Sequence, residues 1–186
     1  MVLQLEKRLF TVDEYHKMAE AGILTEDDRV ELLGGEIILM SPIGEHHAGV
    51  VNRLNALLNR LLSDSAIVAI QNPVRLTDDS EPEPDVAVLR FRDDYYAGSI
   101  PTSPDIIFLI EVSDTTDTLD RSVKVPRYAQ AGIEEVWIAN LQDRLVEVYS
   151  SPTAGVYKEV RRAQLGESLP LAGFPGVVVR VEDVLR

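Results

Sequence analysis

The feature that most constrains the fold is a short apolar run that ends on a carboxylate. Ile106 to Ile110 is continuously apolar, and Glu111 follows it directly. A run of this length without polar positions is typical of a strand that is buried on both faces. A second apolar run, Val86 to Leu89, begins directly after Asp85. The pattern therefore predicts two neighbouring buried strands that each carry one acidic residue at an end.

These two carboxylates need a partner. A charged group at the edge of a dry core is unfavourable unless it is paired, and two carboxylates that converge repel each other. Oxygen ligands of this kind suit Mg²⁺ or Mn²⁺. Lys124 follows on a predicted helical segment and offers a cation within reach. We therefore expect Asp85 and Glu111 to share one divalent ion, with Lys124 beside it.

This constellation resembles the PD-(D/E)xK nuclease superfamily, in which an Asp, a Glu and a Lys gather around one or two divalent ions. The Lys of that superfamily usually lies two residues after the Glu, where this chain has Ser113. A longer string extends through the following helix and strand: Ile110 to Ser113, Asp120, Lys124, Tyr128-Ala129, Gly132-Ile133 and Glu135 to Trp137. This string resembles more specifically the Uma family of restriction-endonuclease-like proteins, whose Lys lies on that helix, as Lys124 does here.

The resemblance extends from about Phe10 to about Val148. It implies a metal-dependent endonuclease that hydrolyses DNA phosphodiester bonds, with Asp85, Glu111 and Lys124 as the catalytic residues. The metal, Mg²⁺ or Mn²⁺, is expected on Asp85, Glu111 and the carbonyl of Val112. Further candidate accessory residues are Glu31, His47, Gln71, Ser113, Asp120 and Tyr128. Related endonucleases commonly work as homodimers, and the apolar hairpin at Leu32 to Met40 is a candidate contact.

From Glu45 onward the predicted order is helix, three strands, helix, strand, which agrees with the αβββαβ core of the nuclease superfamily. The expected class is therefore α/β (α+β), a restriction-endonuclease-like fold with a mixed sheet flanked by helices. At 186 residues, 1–186 is expected to form a single domain. We expect a core at about 45–140, an N-terminal helix and hairpin at 10–40, and C-terminal strands at 144–186.

Local signals give more specific expectations. Thr11 and Glu14 form a capping-box pattern, and Gly34-Gly35 predicts a hairpin turn. Ala66 to Leu76 is typical of a strand interrupted at Asn72-Pro73. A second hairpin is expected around a Pro152/Gly155 turn. Pro126 allows two alternatives: the helix begins at Ser122, with the proline in its first turn, or it begins near Leu119 and kinks.

Three candidate site residues have a structural as well as a functional interpretation. Glu31 is a solvated strand position, or it reaches the metal site. His47 is a hydrogen-bonded histidine at the rim of the core, or it lines the cleft and contacts a phosphate or a metal-bound water. Lys124 serves the chemistry, or it forms a surface pair with Asp120, since the two are four residues apart on a helix.

The charge of the chain limits how it can bind nucleic acid. Eighteen basic and 31 acidic residues give a net charge of −13, the wrong sign for gripping phosphates non-specifically. A nuclease therefore needs a local basic strip, a partner subunit or a weak intrinsic affinity for DNA. The absence of cysteine favours a reducing, cytoplasmic location, and no stretch predicts a signal peptide or a membrane span.

Two other functions compete with the nuclease. A catalytically lapsed nuclease fold could serve as a nucleic-acid- or protein-binding module, which suits the acidity, although a lapsed site has no reason to keep Asp85, Glu111 and Lys124 together. A hydrolase of small phosphate esters would need an enclosed pocket. The sequence leaves open whether DNA or RNA is the substrate.

Overall fold

A computed structural model describes residues 6–25, 27–114 and 119–185. Within them the helices are α1 (Val12–Glu20), α2 (Glu45–Leu62), α3 (Val125–Gln130) and α4 (Val181–Leu185), with 3₁₀ turns at Ser63–Ser65 and Ser103–Asp105 and a π-helical turn at Asp120–Lys124. The strands are β1 (Val30–Leu33), β2 (Glu36–Leu39), β3 (Ala66–Ile70), β4 (Val86–Arg90), β5 (Ile106–Ser113), β6 (Glu135–Asn140), β7 (Leu145–Thr153), β8 (Val156–Gln164), β9 (Ser168–Pro170) and β10 (Val178–Arg180).

The main sheet has six strands in the order β3-β4-β5-β6-β7-β8. All neighbours are antiparallel except β5 and β6, which run parallel because the π-helical turn and α3 carry the chain back across the sheet. From α2 to β6 the order is helix, three strands, helix, strand. This is the predicted αβββαβ arrangement with a mixed sheet, and the prediction is confirmed.

Both faces of the sheet are covered, so β5 is buried as predicted, except at Ile107, which is partly exposed. Its side chains alternate: Phe108 and Ile110 join a core cluster with α2 and α4, and Leu109 joins a second cluster with α3. Helix α2 contributes an apolar face at helical spacing: Val50, Val51, Leu54, Leu57, Leu58 and Leu62, all buried. Each such side chain stabilises the fold by about 1.5–3 kcal/mol.

The N-terminal region follows the local signals. Thr11 Oγ1 accepts the Glu14 amide at 3.2 Å, and Glu14 Oε2 accepts the Thr11 amide at 3.0 Å, which completes the capping box. Strands β1 and β2 pair around Gly34 and Gly35, whose φ values of +60° and +78° suit a tight hairpin turn. A Cβ at Gly34 would lie 1.9 Å from the guanidinium of Arg127, so the hairpin turn packs directly on α3.

Two local expectations need correction. Strand β3 ends at Ile70 rather than at Leu76, because Gln71 adopts a left-handed conformation (φ +50°) that interrupts the extended strand backbone. Ser122 is inside the π-helical turn and not at an N-cap, so the first alternative for Pro126 is wrong; Leu119 is already helical, in agreement with the alternative that begins near it, and Pro126 lies in the first turn of α3. The Val125 amide bonds to the Asp120 carbonyl, and this wider turn leads into the proline.

The C-terminal strands divide between two sheets. Strands β7 and β8 form a hairpin that turns at Ala154-Gly155 rather than at Pro152, which lies within β7. Strands β9 and β10 form a separate antiparallel pair. In the described part of the chain, no helix is long and apolar enough to cross a membrane.

Candidate active site

The two predicted metal carboxylates lie side by side at one end of the sheet. Val86 pairs with Ile110, so Asp85, just before β4, lies beside Glu111 on β5. The Asp85 amide donates to Glu111 Oε2 at 3.3 Å, and the Val112 amide donates to Asp85 Oδ2 at 2.8 Å. Each carboxylate is thus hydrogen-bonded to the backbone of the other's segment, which fixes their relative position.

Asp85 is also held by side chains from two other elements. His47, in the first turn of α2, donates from Nε2 to Asp85 Oδ2 at 3.0 Å. Gln71 donates from Nε2 to Asp85 Oδ1 at 3.1 Å, and its left-handed backbone directs it there. The hydrogen bond to Asp85 raises the pKa of His47, although burial opposes the shift. The other ring nitrogen of His47, Nδ1, is buried and has no hydrogen-bond partner among the described residues.

Lys124 is buried inside the site and is not a surface residue. Its Nζ lies 3.4 Å from Glu111 Oε1, 3.3 Å from Glu31 Oε2 and 3.5 Å from the Glu83 carbonyl oxygen. With 6% of the residue exposed, the surface pair with Asp120 is the wrong interpretation. Burial alone would lower the pKa of Lys124, but the surrounding carboxylates raise it above its ordinary value. The ammonium is therefore charged.

Glu31 reaches this lysine from the hairpin. It is 1% exposed, and its Oε2 accepts the Glu83 amide at 3.1 Å as well as facing Lys124. The solvated alternative is wrong for Glu31 because every residue of β1 is buried. Glu36 on β2 is the more solvated of the two hairpin glutamates: its side chain is 44% exposed and pairs with Lys7 at 2.8 Å.

Glu111 lies in the least polar part of the site. Tyr128, fully buried on α3, donates its hydroxyl to Glu111 Oε1 at 2.5 Å. Burial raises the pKa of Glu111 to about 8; Lys124 opposes this shift, and Asp120 and Asp85 add to it. Burial and Glu111 also raise the pKa of the Tyr128 phenol well above its ordinary value, so it remains a donor. Glu111 therefore holds a proton at neutral pH unless further positive charge arrives.

The remaining predicted residues lie in the same region. Asp120, 4% exposed, is on the π-helical turn and lines the cleft. Ser113 is buried, and its hydroxyl has no hydrogen-bond partner within the described part of the chain. Val112 contributes its amide to Asp85; the metal-binding role of its carbonyl stays a prediction.

A solvent-open cleft lies over these groups. Sequence reasoning missed three of the charged residues that line it, namely Arg29, Glu83 and Asp114. Burial raises the pKa of Glu83, with a further contribution from Glu31, whereas Arg29 lowers it. Their sequence positions could have indicated them, since Glu83 is two residues before Asp85 and Arg29 is two residues before Glu31, both candidate site residues. The cleft walls are mainly acidic.

The donor set fits a hard divalent ion with an incomplete protein shell. Among the described residues, no three His, Asp or Glu side chains come close enough to hold a metal. Mg²⁺ does not require three, because one or two carboxylates usually bind it together with waters and substrate phosphates. Asp85 Oδ1 and Glu111 Oε2 each accept one hydrogen bond, which leaves each oxygen a lone pair.

Comparison with known proteins agrees with this architecture. A family model described as "Putative restriction endonuclease" matches residues 12–182. The fold is similar to a crystal structure from Anabaena variabilis ATCC 29413, described as a putative nuclease belonging to DUF820. The TM-score is 0.71 at 17% identity, over 95% of this chain and 97% of that one, and shows a shared fold. A search of curated proteins finds no match.

Proposed function

Because the chain belongs to the Uma2 family of putative restriction endonucleases, we propose that it is a metal-dependent endonuclease acting on DNA phosphodiester bonds. One observation carries the proposal: a buried, charged Lys124 contacts Glu111 at 3.4 Å, directly beside Asp85 at the cleft. The arrangement combines oxygen ligands for a cation with a fixed positive charge, and phosphodiester hydrolysis uses both.

Asp85 and Glu111 would hold Mg²⁺ or Mn²⁺, with the carbonyl of Val112 as an additional ligand. An ion bound there supplies polarisation of the phosphate and a lower pKa for an attacking water. The protein's part is to present the two carboxylates in a fixed geometry. Gln71 and His47 orient Asp85, and Tyr128 orients Glu111, through the hydrogen bonds described above.

Lys124 would neutralise the negative charge that develops on the phosphate. Its ammonium is held between Glu31 and Glu111 before any substrate arrives, so it needs no reorganisation during the reaction. Glu31 is a positioning residue in this scheme because it contacts the lysine and not the substrate.

The net charge of −13 favours a second candidate function, a catalytically lapsed fold that binds nucleic acid or protein. Against it stands the retention of Asp85, Glu111 and Lys124, with Glu111 in contact with both the Asp85 amide and the Lys124 ammonium. Homodimer formation stays a prediction. The apolar residues Leu32 and Leu33 of the hairpin are buried within the chain itself, whereas Leu39 is 80% exposed. Leu39 is thus the hairpin side chain best placed for a partner.

The proposed function is tested with supercoiled plasmid and Mn²⁺. The wild-type protein should nick or linearise the plasmid, and Asp85→Ala should leave it intact while keeping the wild-type circular dichroism spectrum. Asp64→Ala, at an exposed acidic residue beyond α2, is the control and should cut normally. A wild-type protein that binds the plasmid without cutting it would support the lapsed module, and equal cutting by Asp85→Ala would exclude the proposed site.

A further inference from the structure

A row of paired residues links the candidate site to the far edge of the sheet. Glu111 pairs with Ile138, Ile138 with Glu147, and Glu147 with Arg162, across β5, β6, β7 and β8. Paired residues point to the same face of a sheet, so all four lie on the face that α3 covers. Three strand spacings separate Glu111 from Arg162, or about 14 Å.

Glu147, which belongs to this row, accepts hydrogen bonds from two arginines. It is 1% exposed, and its carboxylate accepts from Arg121 Nε at 2.7 Å, Arg162 Nε at 2.8 Å and the Tyr149 hydroxyl at 2.9 Å. Burial would raise the pKa of Glu147, but these hydrogen bonds hold it below its ordinary value. One ionised carboxylate therefore meets two guanidinium groups, and the cluster keeps a net positive charge.

Arg162 presents the outer part of this cluster to solvent. Its side chain is 71% exposed, and it contacts Glu147 through Nε. Within the described residues, its two terminal amino groups have no hydrogen-bond partner. A guanidinium held at Nε is oriented, and the outward pair of N–H groups matches two phosphate oxygens. A buried carboxylate thus fixes an arginine in the geometry that recognises phosphate.

The π-helical turn connects the cluster to the cleft. Arg121 directly follows Asp120, a cleft-lining residue on the π-helical turn, and its Nε reaches Glu147 on β7. The ammonium of Lys124 is buried between carboxylates and is only 7% exposed at its side chain. A strand entering the cleft therefore needs positive charge elsewhere, because the chain as a whole carries −13.

We propose that the cluster of Arg121, Glu147 and Arg162 binds a backbone phosphate of the nucleic acid whose scissile phosphate lies at Asp85 and Glu111. This rests on the proposed function and adds a second contact about 14 Å away along the sheet. The cluster supplies the local basic strip that a nuclease of this net charge needs. It contacts phosphate and no base, so its contribution is independent of nucleotide sequence.

The test measures binding to a fluorescent DNA duplex by fluorescence anisotropy over a range of salt concentrations. EDTA is present, so that metal-dependent cleavage cannot occur. Arg162→Gln removes the charge but keeps a donor for Glu147. Arg161→Gln is the matched control, since it removes the same charge one residue earlier. Arg161 instead contacts Glu167, at 3.2 Å. Thermal melting of both variants monitors folding.

Arg162→Gln should weaken binding by about five- to tenfold at low salt and reduce the slope of log K against log salt by about one. Arg161→Gln should have a clearly smaller effect. Equal effects of the two variants at wild-type stability would overturn the phosphate site and leave the proposed nuclease standing. A wild-type protein that neither binds nor, with Mn²⁺, cuts DNA would overturn both. If Arg162→Gln fails to fold, Arg162→Lys replaces it in the test. This variant should keep the slope of log K against log salt but bind DNA more weakly than wild type. Binding equal to wild type would contradict the phosphate site.

Discussion

Lys124 and Glu31 form a buried ion pair, with Nζ 3.3 Å from Oε2 and side chains that are 7% and 1% exposed. A pair in this environment is stable only as a unit, because either charge alone would be desolvated without compensation. The pair therefore ties the stability of the fold to the charge arrangement of the candidate site. The effect of Lys124 on stability and its effect on cleavage can be measured separately.

Lys124→Ala should destabilise the protein by about 3–5 kcal/mol, because it leaves the buried carboxylate of Glu31 without its cation. It should also reduce cleavage by about a hundredfold, the usual effect of losing one charge-stabilising group. Chemical denaturation gives the first quantity and plasmid cleavage by the folded fraction gives the second.

The double variant Lys124→Met with Glu31→Gln tests whether the two effects are separable. Removing one charge of each sign should recover much of the stability but none of the cleavage. Lys158→Ala, at an exposed lysine on β8, should change neither. Full cleavage by the double variant would show that Lys124 has no catalytic role.

Glu111→Gln should remove metal binding with little change of shape. The amide oxygen can still accept from Tyr128, but the ligand charge is lost. We expect the dissociation constant for Mn²⁺ to rise at least tenfold in calorimetry, whereas Glu36→Gln, on the half-exposed side of the hairpin, should bind Mn²⁺ as wild type does. Unchanged Mn²⁺ affinity in Glu111→Gln would place the ion elsewhere.

The affinity for Mn²⁺ should depend on pH through Glu111. Its pKa in the folded protein is raised from 4.5 to about 8, so the folded metal-free state keeps a proton that the unfolded chain loses. Between these values the free energy of unfolding contributed by Glu111 falls as pH rises. Metal binding must displace the proton, so affinity should rise up to about pH 8 and then level off. Calorimetry at pH 7 in two buffers of different ionisation enthalpy should detect the proton released; no release would contradict the prediction.

The hydrogen bond between His47 and Asp85 should be visible in the titration of the imidazole. Asp85 raises the pKa of His47 in the folded protein. The hydrogen bond therefore contributes fully to stability below about pH 6.5, the ordinary pKa of histidine, and this contribution is lost as the pH rises through the pKa of His47 in the folded protein. NMR titration of ring protons should show a lower pKa for His47 in Asp85→Asn. The signals of His46, which is exposed, should be the same in both proteins. An unshifted His47 would mean that the bond does not form in solution.

Much of the architecture follows from local sequence signals. The apolar run before Glu111 predicts a buried strand because water is excluded from both of its faces, and Thr11 with Glu14 predicts a helix start because the cap satisfies backbone donors. The helical segment after Glu111 predicts Lys124 as a cation within reach, but its catalytic role was expected only from the family resemblance. Nothing in its own neighbourhood distinguishes a buried lysine from an exposed one.

Features that depend on distant packing could not be predicted in this way. Glu31 has the local pattern of a solvated strand residue, and its burial results from α1, the 79–83 segment and α3 closing around the hairpin. The π-helical turn at Asp120–Lys124 and the left-handed Gln71 are similar cases. Their conformations cost energy locally and are stabilised by contacts far away in the sequence.

The position of Glu31 determines the shortest part of the chain that contains the complete candidate site. The αβββαβ arrangement begins at α2, but Glu31 comes from the hairpin that precedes it, and a chain shortened to begin at Glu45 would keep Asp85, Glu111 and Lys124 while losing one counter-ion of the lysine. Such a fragment would have the full sheet and a misaligned ammonium. Domain swaps and circular permutations should therefore treat the hairpin as part of the candidate active site.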